Sequence, residues 1–178
     1  MEVNEILETK IRRVECLIMD VDGVLTDGRV IIDDLGNESK HFNVRDGHGI
    51  KLLLRTGIEV MLLTGRTSRV VEHRARELGI KEVHQGAKNK VEVLDAIMQN
   101  RDLEREEIAY IGDDIVDVPV FHRVGFSVAV ADACEDAVQH ADYVTRHKGG
   151  KGAVREVCEL ILKVKGQWVE AVTRYEIA

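Results

Sequence analysis

With 178 residues, 44% of them hydrophobic and 32% charged, the chain has the composition of one soluble globular domain large enough for a full core. Its 25 basic residues are outnumbered by 32 acidic ones, a net charge of −7 with no long basic block, which argues against nucleic acid as the main partner. No stretch has the length and apolarity of a membrane span, the charged first thirteen residues lack the apolar core of a signal peptide, and Cys16, Cys134 and Cys158 are widely spaced without a C-x-x-C pair, so a cytoplasmic protein with reduced thiols is expected.

Residues 14–19 form an apolar run of strand length, closed by glycine just after Asp20-Val21-Asp22. Two β-prone runs, 28–32 and 39–44, flank the turn-rich Asp33-Asp34-Leu35-Gly36-Asn37 and predict a hairpin over 29–44. Asp46 is placed to cap a helix over 49–56 that Gly57 ends. A strand over 58–63 precedes a helix over 67–78, spaced by Val70, Val71, Ala75 and Leu78 and closed by Gly79. There follow a short strand at 82–84, a helix over 90–98, a strand over 108–111 and a helix over 115–123 with Pro119 in its first turns. Strands at 126–130 and 143–144 and an amphipathic helix over 153–164 lead into a tail from 166 to 178. Such apolar strands separated by helices imply α/β architecture: a Rossmann-like three-layer sandwich with a mainly parallel sheet. The hairpin falls outside that rhythm and reads as a small insertion, leaving a single domain over 1–178.

The chemistry-bearing residues fall at the ends of the expected strands. Asp20 and Asp22 follow the first, Thr64-Gly65-Arg66 follows another, and Gly112-Asp113-Asp114-Ile115-Val116-Asp117 follows a third. Between them Lys90 opens a helix. Open α/β sheets bind ligands at this edge, and close carboxylates need a cation or a shared proton between them. Clustered carboxylates suit Mg²⁺, a Thr hydroxyl and a Lys ammonium can hold phosphate oxygens, and a pair of aspartates can divide nucleophilic attack from proton transfer. Singly, D-x-D-G also reads as an Asx-rich turn, T-G-R as a strand-to-helix turn, G-D-D-x-x-D as a helix N-terminus, and Lys90 as a solvated lysine.

The ordered series of all four motifs resembles the haloacid dehalogenase-like phosphatases over nearly the whole chain. The resemblance implies Asp20 as nucleophile, Asp22 as general acid/base, Thr64 and Lys90 as phosphate-facing groups, and Mg²⁺ held by Asp20, Asp113 and the Asp22 backbone carbonyl with Asp117 in support. Only about twenty residues separate the first motif from the next helix, so no cap domain is expected. Further segments, among them Phe42-Asn43-Val44-Arg45-Asp46-Gly47 and Gly149-Gly150-Lys151-Gly152-Ala153, are similar to a capless, tetrameric branch of that family. That branch removes the 8-phosphate of an eight-carbon sugar acid in lipopolysaccharide synthesis. Its likeness implies substrate contacts from Asp22, Asn43, Val44, Arg45, Asp46, Gly47, Lys51, Arg66, Arg74 and Lys90, and a homotetramer with shared active sites. Arg66 and Arg74, eight apart, would share one helix face. Arg forks suit the substrate's phosphate and carboxylate.

Two alternatives remain at this level. One acts on a nine-carbon sialic-acid-type 9-phosphate with the same chemistry. The other is a receiver-type phospho-accepting signalling domain, although receivers place the phosphorylated Asp on a middle strand. Val30, Ile32, Phe42 and Val44 are expected to supply apolar contacts between copies.

Overall fold

The computed structural model describes residues 4–176; positions 1–3 and 177–178, the outermost ends of the expected N-terminal segment and tail, lie outside them. Helix α1 (Glu5–Arg12) leads into strand β1 (Cys16–Met19), and strands β2 (Ile31–Ile32) and β3 (Glu38–Ser39) precede helix α2 (Val44–Arg55). Then come β4 (Glu59–Leu63), α3 (Arg69–Leu78), β5 (Glu82–His84), α4 (Lys90–Arg101), β6 (Ile108–Gly112) and the short α5 (Val118–Phe121). Strand β7 (Phe126–Ala129), α6 (Glu135–His140), β8 (Tyr143–Val144), α7 (Ala153–Val164) and α8 (Trp168–Val172) complete the order.

Six strands pair in parallel in the order β5-β4-β1-β6-β7-β8, with β1 at the centre. All four β1 residues are fully buried, as a strand covered on both faces requires. Because side chains alternate, Leu17 and Met19 enter one core with Ile50, Leu53, Val71, Val157 and Ile161, from α2, α3 and α7. Cys16 and Ile18 enter the other with Leu94, Ile97, Val120 and Phe121, from α4 and α5. The three-layer sandwich follows from that alternation.

Several local expectations shift. Strand β3 is only Glu38–Ser39, because Asn43 turns the chain into α2, its side chain accepting from the Arg45 amide at 2.8 Å. Asp46 therefore lies inside α2 and does not cap it. Phe42 packs against the core rather than facing outward, whereas Val30, Ile32 and Val44 are exposed. The segment after β6 splits into a 3-10 turn, Ile115–Asp117, and α5, with Pro119 in the first turn, where its missing N–H costs nothing. The tail folds back: the Lys163 ammonium sits 4.8 Å from the Trp168 ring, and the Tyr175 hydroxyl meets His48 Nε2 at 2.8 Å and Arg55 Nη1 at 3.1 Å. No helix among the described residues is long and apolar enough to cross a membrane.

Candidate active site

Register brings the motifs together. Met19 on β1 pairs with Leu62 on β4 and Ile111 on β6, so the three strands end side by side. Asp20 lies one residue past its strand, and Thr64 and Asp113 lie one residue past theirs. The Asp20 amide donates to the Ile111 carbonyl at 3.0 Å, fixing how far that side chain projects. The turn after Asp22 passes so close to Asp113 that a Cβ on Gly23 would sit 2.0 Å from Asp113 Oδ2, and Gly23 has φ +87°; only glycine fits there.

Lys90, at the start of α4, is buried between two of these acids. Its ammonium lies 2.7 Å from Asp20 Oδ2 and 2.6 Å from Asp117 Oδ1. The Tyr110 hydroxyl also donates to Asp117 Oδ1, at 2.7 Å, and the amides of Asp113 and Asp114 donate to Asp117 Oδ2 at 3.0 and 3.2 Å. Asp117 is fully buried beneath the crevice floor with both oxygens engaged. Burial disfavours the Lys90 charge, but Asp20 and Asp117 more than offset this and raise its pKa. Burial raises Asp20, against Lys90 and with Asp117. Asp113 is pushed up to about 7 by burial and by repulsion from Asp117 and Asp20.

Carboxylate oxygens of Asp20, Asp113 and Asp117 all lie within 4.8 Å of one another. When all three are ionised, these carboxylates around one ammonium leave two negative charges uncompensated. All-oxygen donors with that residual charge fit a hard divalent cation such as Mg²⁺. The Asp22 carboxyl is not among them: Lys40 engages Oδ1 and Arg66 Nε approaches Oδ2 at 3.5 Å.

Above the acids opens a crevice of about 650 Å³, lined by Asp20, Asp22, Thr64, Arg66, Lys90 and Asp113 among others. Thr64 is buried at its wall, while Arg66 stands half-exposed at the rim and reaches Glu38 of the hairpin at 3.1 Å. The other expected substrate contacts are elsewhere in the chain. Asn43, Val44, Arg45, Asp46 and Gly47 make the start of α2, and Lys51 lies a turn further along it; none lines the crevice. Arg74 packs on that same helix start. Its Nη2 donates to the Asn43 carbonyl at 3.4 Å, its guanidinium lies 5.6 Å from the Phe42 ring, and a Cβ on Gly47 would strike it at 2.4 Å. Arg66 and Arg74 do not share a helix face, because extended Ser68 delays α3 to Arg69 and leaves Arg66 in the preceding loop. Sequence reasoning missed Lys40, Glu38 and Tyr110. A buried lysine in a predicted hairpin carries no signature, whereas a tyrosine on the strand just before the acidic motif offered a weak one.

A carboxylate at the end of a central parallel strand, with a Thr, a Lys and a second acidic pair gathered from the neighbouring loops, is the arrangement of a haloacid dehalogenase-like hydrolase. The family model with that description matches residues 80–157. The 3-deoxy-D-manno-octulosonate 8-phosphate phosphatase of Escherichia coli K12 is 48% identical over 162 residues, 91% of this chain and 86% of that protein. Two solved structures superpose closely. One is the crystal structure of the corresponding phosphatase of Moraxella catarrhalis in complex with a magnesium ion, a phosphate ion and a KDO molecule, with TM-score 0.94 and 40% identity over 98% of this chain and 99% of that one. The other is the cobalt-bound enzyme of Haemophilus influenzae, with TM-score 0.86 and 42% identity over 90% and 94%. The chain belongs to the 3-deoxy-D-manno-octulosonate 8-phosphate phosphatase family.

Proposed function

We propose that this protein is a Mg²⁺-dependent phosphomonoester hydrolase that converts 3-deoxy-D-manno-octulosonate 8-phosphate and water to the free sugar acid and phosphate. The observation that carries the reading is the Asp20–Lys90–Asp117 chain of contacts beside Asp113, at the floor of a crevice, in a chain 48% identical to an enzyme of that name.

Asp20 attacks phosphorus through a carboxylate oxygen, and the bond from phosphorus to the sugar oxygen breaks. Asp22 protonates that leaving oxygen, and the released sugar acid leaves an aspartyl phosphate on Asp20. Asp22, now a base, takes a proton from the water that attacks the same phosphorus, which restores Asp20. Thr64 holds a phosphate oxygen, and Lys90 offsets charge on both nucleophile and phosphate. Asp20, Asp113 and the Asp22 carbonyl would hold Mg²⁺, which supplies positive charge against the repulsion between carboxylate and phosphate. Asp117 supports the centre from below by fixing Lys90 and the 113–114 backbone.

Arg66 is the basic group at the rim for the substrate's second anion. Asn43, Val44, Arg45, Lys51 and Arg74 would meet substrate only across a subunit boundary, which favours a homotetramer with composite sites and no cap domain; Asp46 and Gly47 are buried within their own chain, Asp46 on the amides of Gly152 and Arg155, and act through the fold. We place the enzyme in the cytoplasm. Exposed Val30, Ile31 and Ile32 on a two-stranded hairpin support such pairing. A receiver switch is disfavoured because a proton carrier two residues from the acceptor promotes hydrolysis of the acyl phosphate.

Phosphate release from a panel of sugar-acid phosphates, with and without Mg²⁺, tests the reading. Mg²⁺-dependent turnover preferring the eight-carbon 8-phosphate is expected. Preference for a nine-carbon 9-phosphate would move the substrate, and a stable phosphoprotein without turnover would overturn the activity.

A further inference from the structure

Lys40 is the only lysine of the hairpin segment, and its side chain is 1% exposed. An ammonium taken that far from water must be held by carboxylates. Lys40 has two, Asp22 Oδ1 in a short contact and Glu38 Oε1 at 3.4 Å. Arg66 closes a ring from the other side, with Nε 3.5 Å from Asp22 Oδ2 and Nη2 3.1 Å from Glu38 Oε1. Two cations and two carboxylates thus balance, and both Asp22 oxygens are turned toward the hairpin and Arg66.

That orientation matters because of what lies two residues away. Asp20, Asp113 and Asp117 outnumber the single Lys90 ammonium and can share one cation, yet the Asp22 carboxyl, lining the same crevice, is outside that group. A fourth carboxylate left free at such a spot is drawn to any divalent ion, since hard cations readily accept another oxygen ligand. Once bound there it could no longer carry a proton to a leaving oxygen.

We propose that Lys40 is a positioning residue for the reaction: it holds the Asp22 carboxyl at the crevice mouth and off the metal centre. The inference rests on the reading of Asp22 as proton carrier. Glu38 is the counter-anchor, since it grips Lys40 and Arg66 together and so ties the hairpin to the residue at the crevice rim. The hairpin then contributes to catalysis within its own chain, apart from any part it takes in assembly.

A double-mutant cycle between Lys40 and Asp22 tests this against a purely structural lysine. Lys40→Met is expected to lower kcat by about tenfold or more while KM changes by less than about twofold, because positioning of a proton donor is lost and substrate binding is not. The same variant, stripped of metal, is expected to bind Mn²⁺ several-fold more tightly, read from the paramagnetic resonance of free Mn²⁺. In an Asp22→Asn background Lys40→Met should change neither quantity, and Lys40→Arg should restore both. An equal Mn²⁺ shift in the Asp22→Asn background would mean that Lys40 acts only as a nearby charge and would overturn the proposal, as would an unchanged kcat. If Lys40→Met does not fold, Lys40→Gln carries the same comparison. Failure of the phosphatase reading would show separately, as absence of phosphate release by the unaltered protein, and the Mn²⁺ measurement does not depend on it.

Discussion

Asp46 caps a helix that begins more than a hundred residues later: its Oδ1 accepts from the Arg155 amide at 2.8 Å and its Oδ2 from the Gly152 amide at 3.2 Å. Helix α7 has no side-chain cap of its own, because its N-cap position is Gly152 at φ 109°. A carboxylate on α2 therefore satisfies the open amides of α7 and ties the two helices at the end nearest the catalytic loops. Burial raises the Asp46 pKa, and the two amides work against that rise.

Asp46→Ala should destabilise the protein by about 1–2 kcal/mol, by analogy with lost N-caps and unsatisfied buried amides. In a chain of this length that is a fall in melting temperature of roughly 3–6 °C. Thermal unfolding beside KM measurement checks it. A large rise in KM with unchanged melting would make Asp46 a substrate contact instead.

Asp20→Asn should reduce turnover by at least about a thousandfold and leave the fold intact. The amide cannot attack phosphorus, yet it keeps the shape and removes one of three crowded carboxylates. Near-normal activity with a native circular dichroism spectrum would sink the nucleophile assignment.

Asp113→Ala should weaken Mg²⁺ dependence and activity far more than Asp114→Ala. Asp113 joins the acidic cluster, while exposed Asp114 uses its carboxyl to accept from the Ile115 amide at 2.8 Å. Activity titrated against Mg²⁺ in both variants distinguishes them; equal losses would mean that the metal-facing acid is misassigned.

The metal-free protein should lose stability as pH rises toward about 7. Asp113 has a folded-state pKa of about 7 against an ordinary 3.8, so across that window the folded form holds more proton than the unfolded one. Raising pH strips that proton, leaving repelling carboxylates, and unfolding becomes easier. Mg²⁺ takes the proton's place, so its stabilising effect should grow from pH 5 to pH 8. Melting curves of chelator-treated protein with and without added Mg²⁺ read both trends, and a Mg²⁺ effect that does not vary with pH would contradict them.

Replacing Val30 and Ile32 together by Asp should break the oligomer and lower activity, although neither residue lines the crevice. Both are exposed on β2 or beside it, and charges there oppose pairing with another chain. Sedimentation beside phosphate release tests it; a fully active monomer would refute shared sites.

The order of motifs along the chain was enough to read the parallel sheet and the acidic crevice. Buried strands are written as unbroken apolar runs, and a parallel sheet must present the residues after those runs at one edge, so Asp20, Thr64 and Asp113 were expected to converge if their strands were neighbours, with Lys90 at the start of a helix between them; the order β4-β1-β6 makes them so. Local pattern was less informative where long-range contacts compete with it. Asp46 had the spacing of a cap for its own helix, but Asn43 turns the chain earlier and frees Asp46 to serve α7. Arg74 had the spacing of a partner for Arg66, but the extended backbone at Ser68 separates them and Phe42 with Asn43 captures Arg74. Lys40 and Glu38 carried no signal, because a hairpin of two-residue strands is positioned by the ion pairs it makes across space. Sequence thus determined which groups meet at the floor of the site, through hydrophobic burial and strand direction. Only the tertiary structure decided which charges are held in reserve at its mouth, since that depends on contacts between segments whose spacing along the chain encodes nothing about their distance.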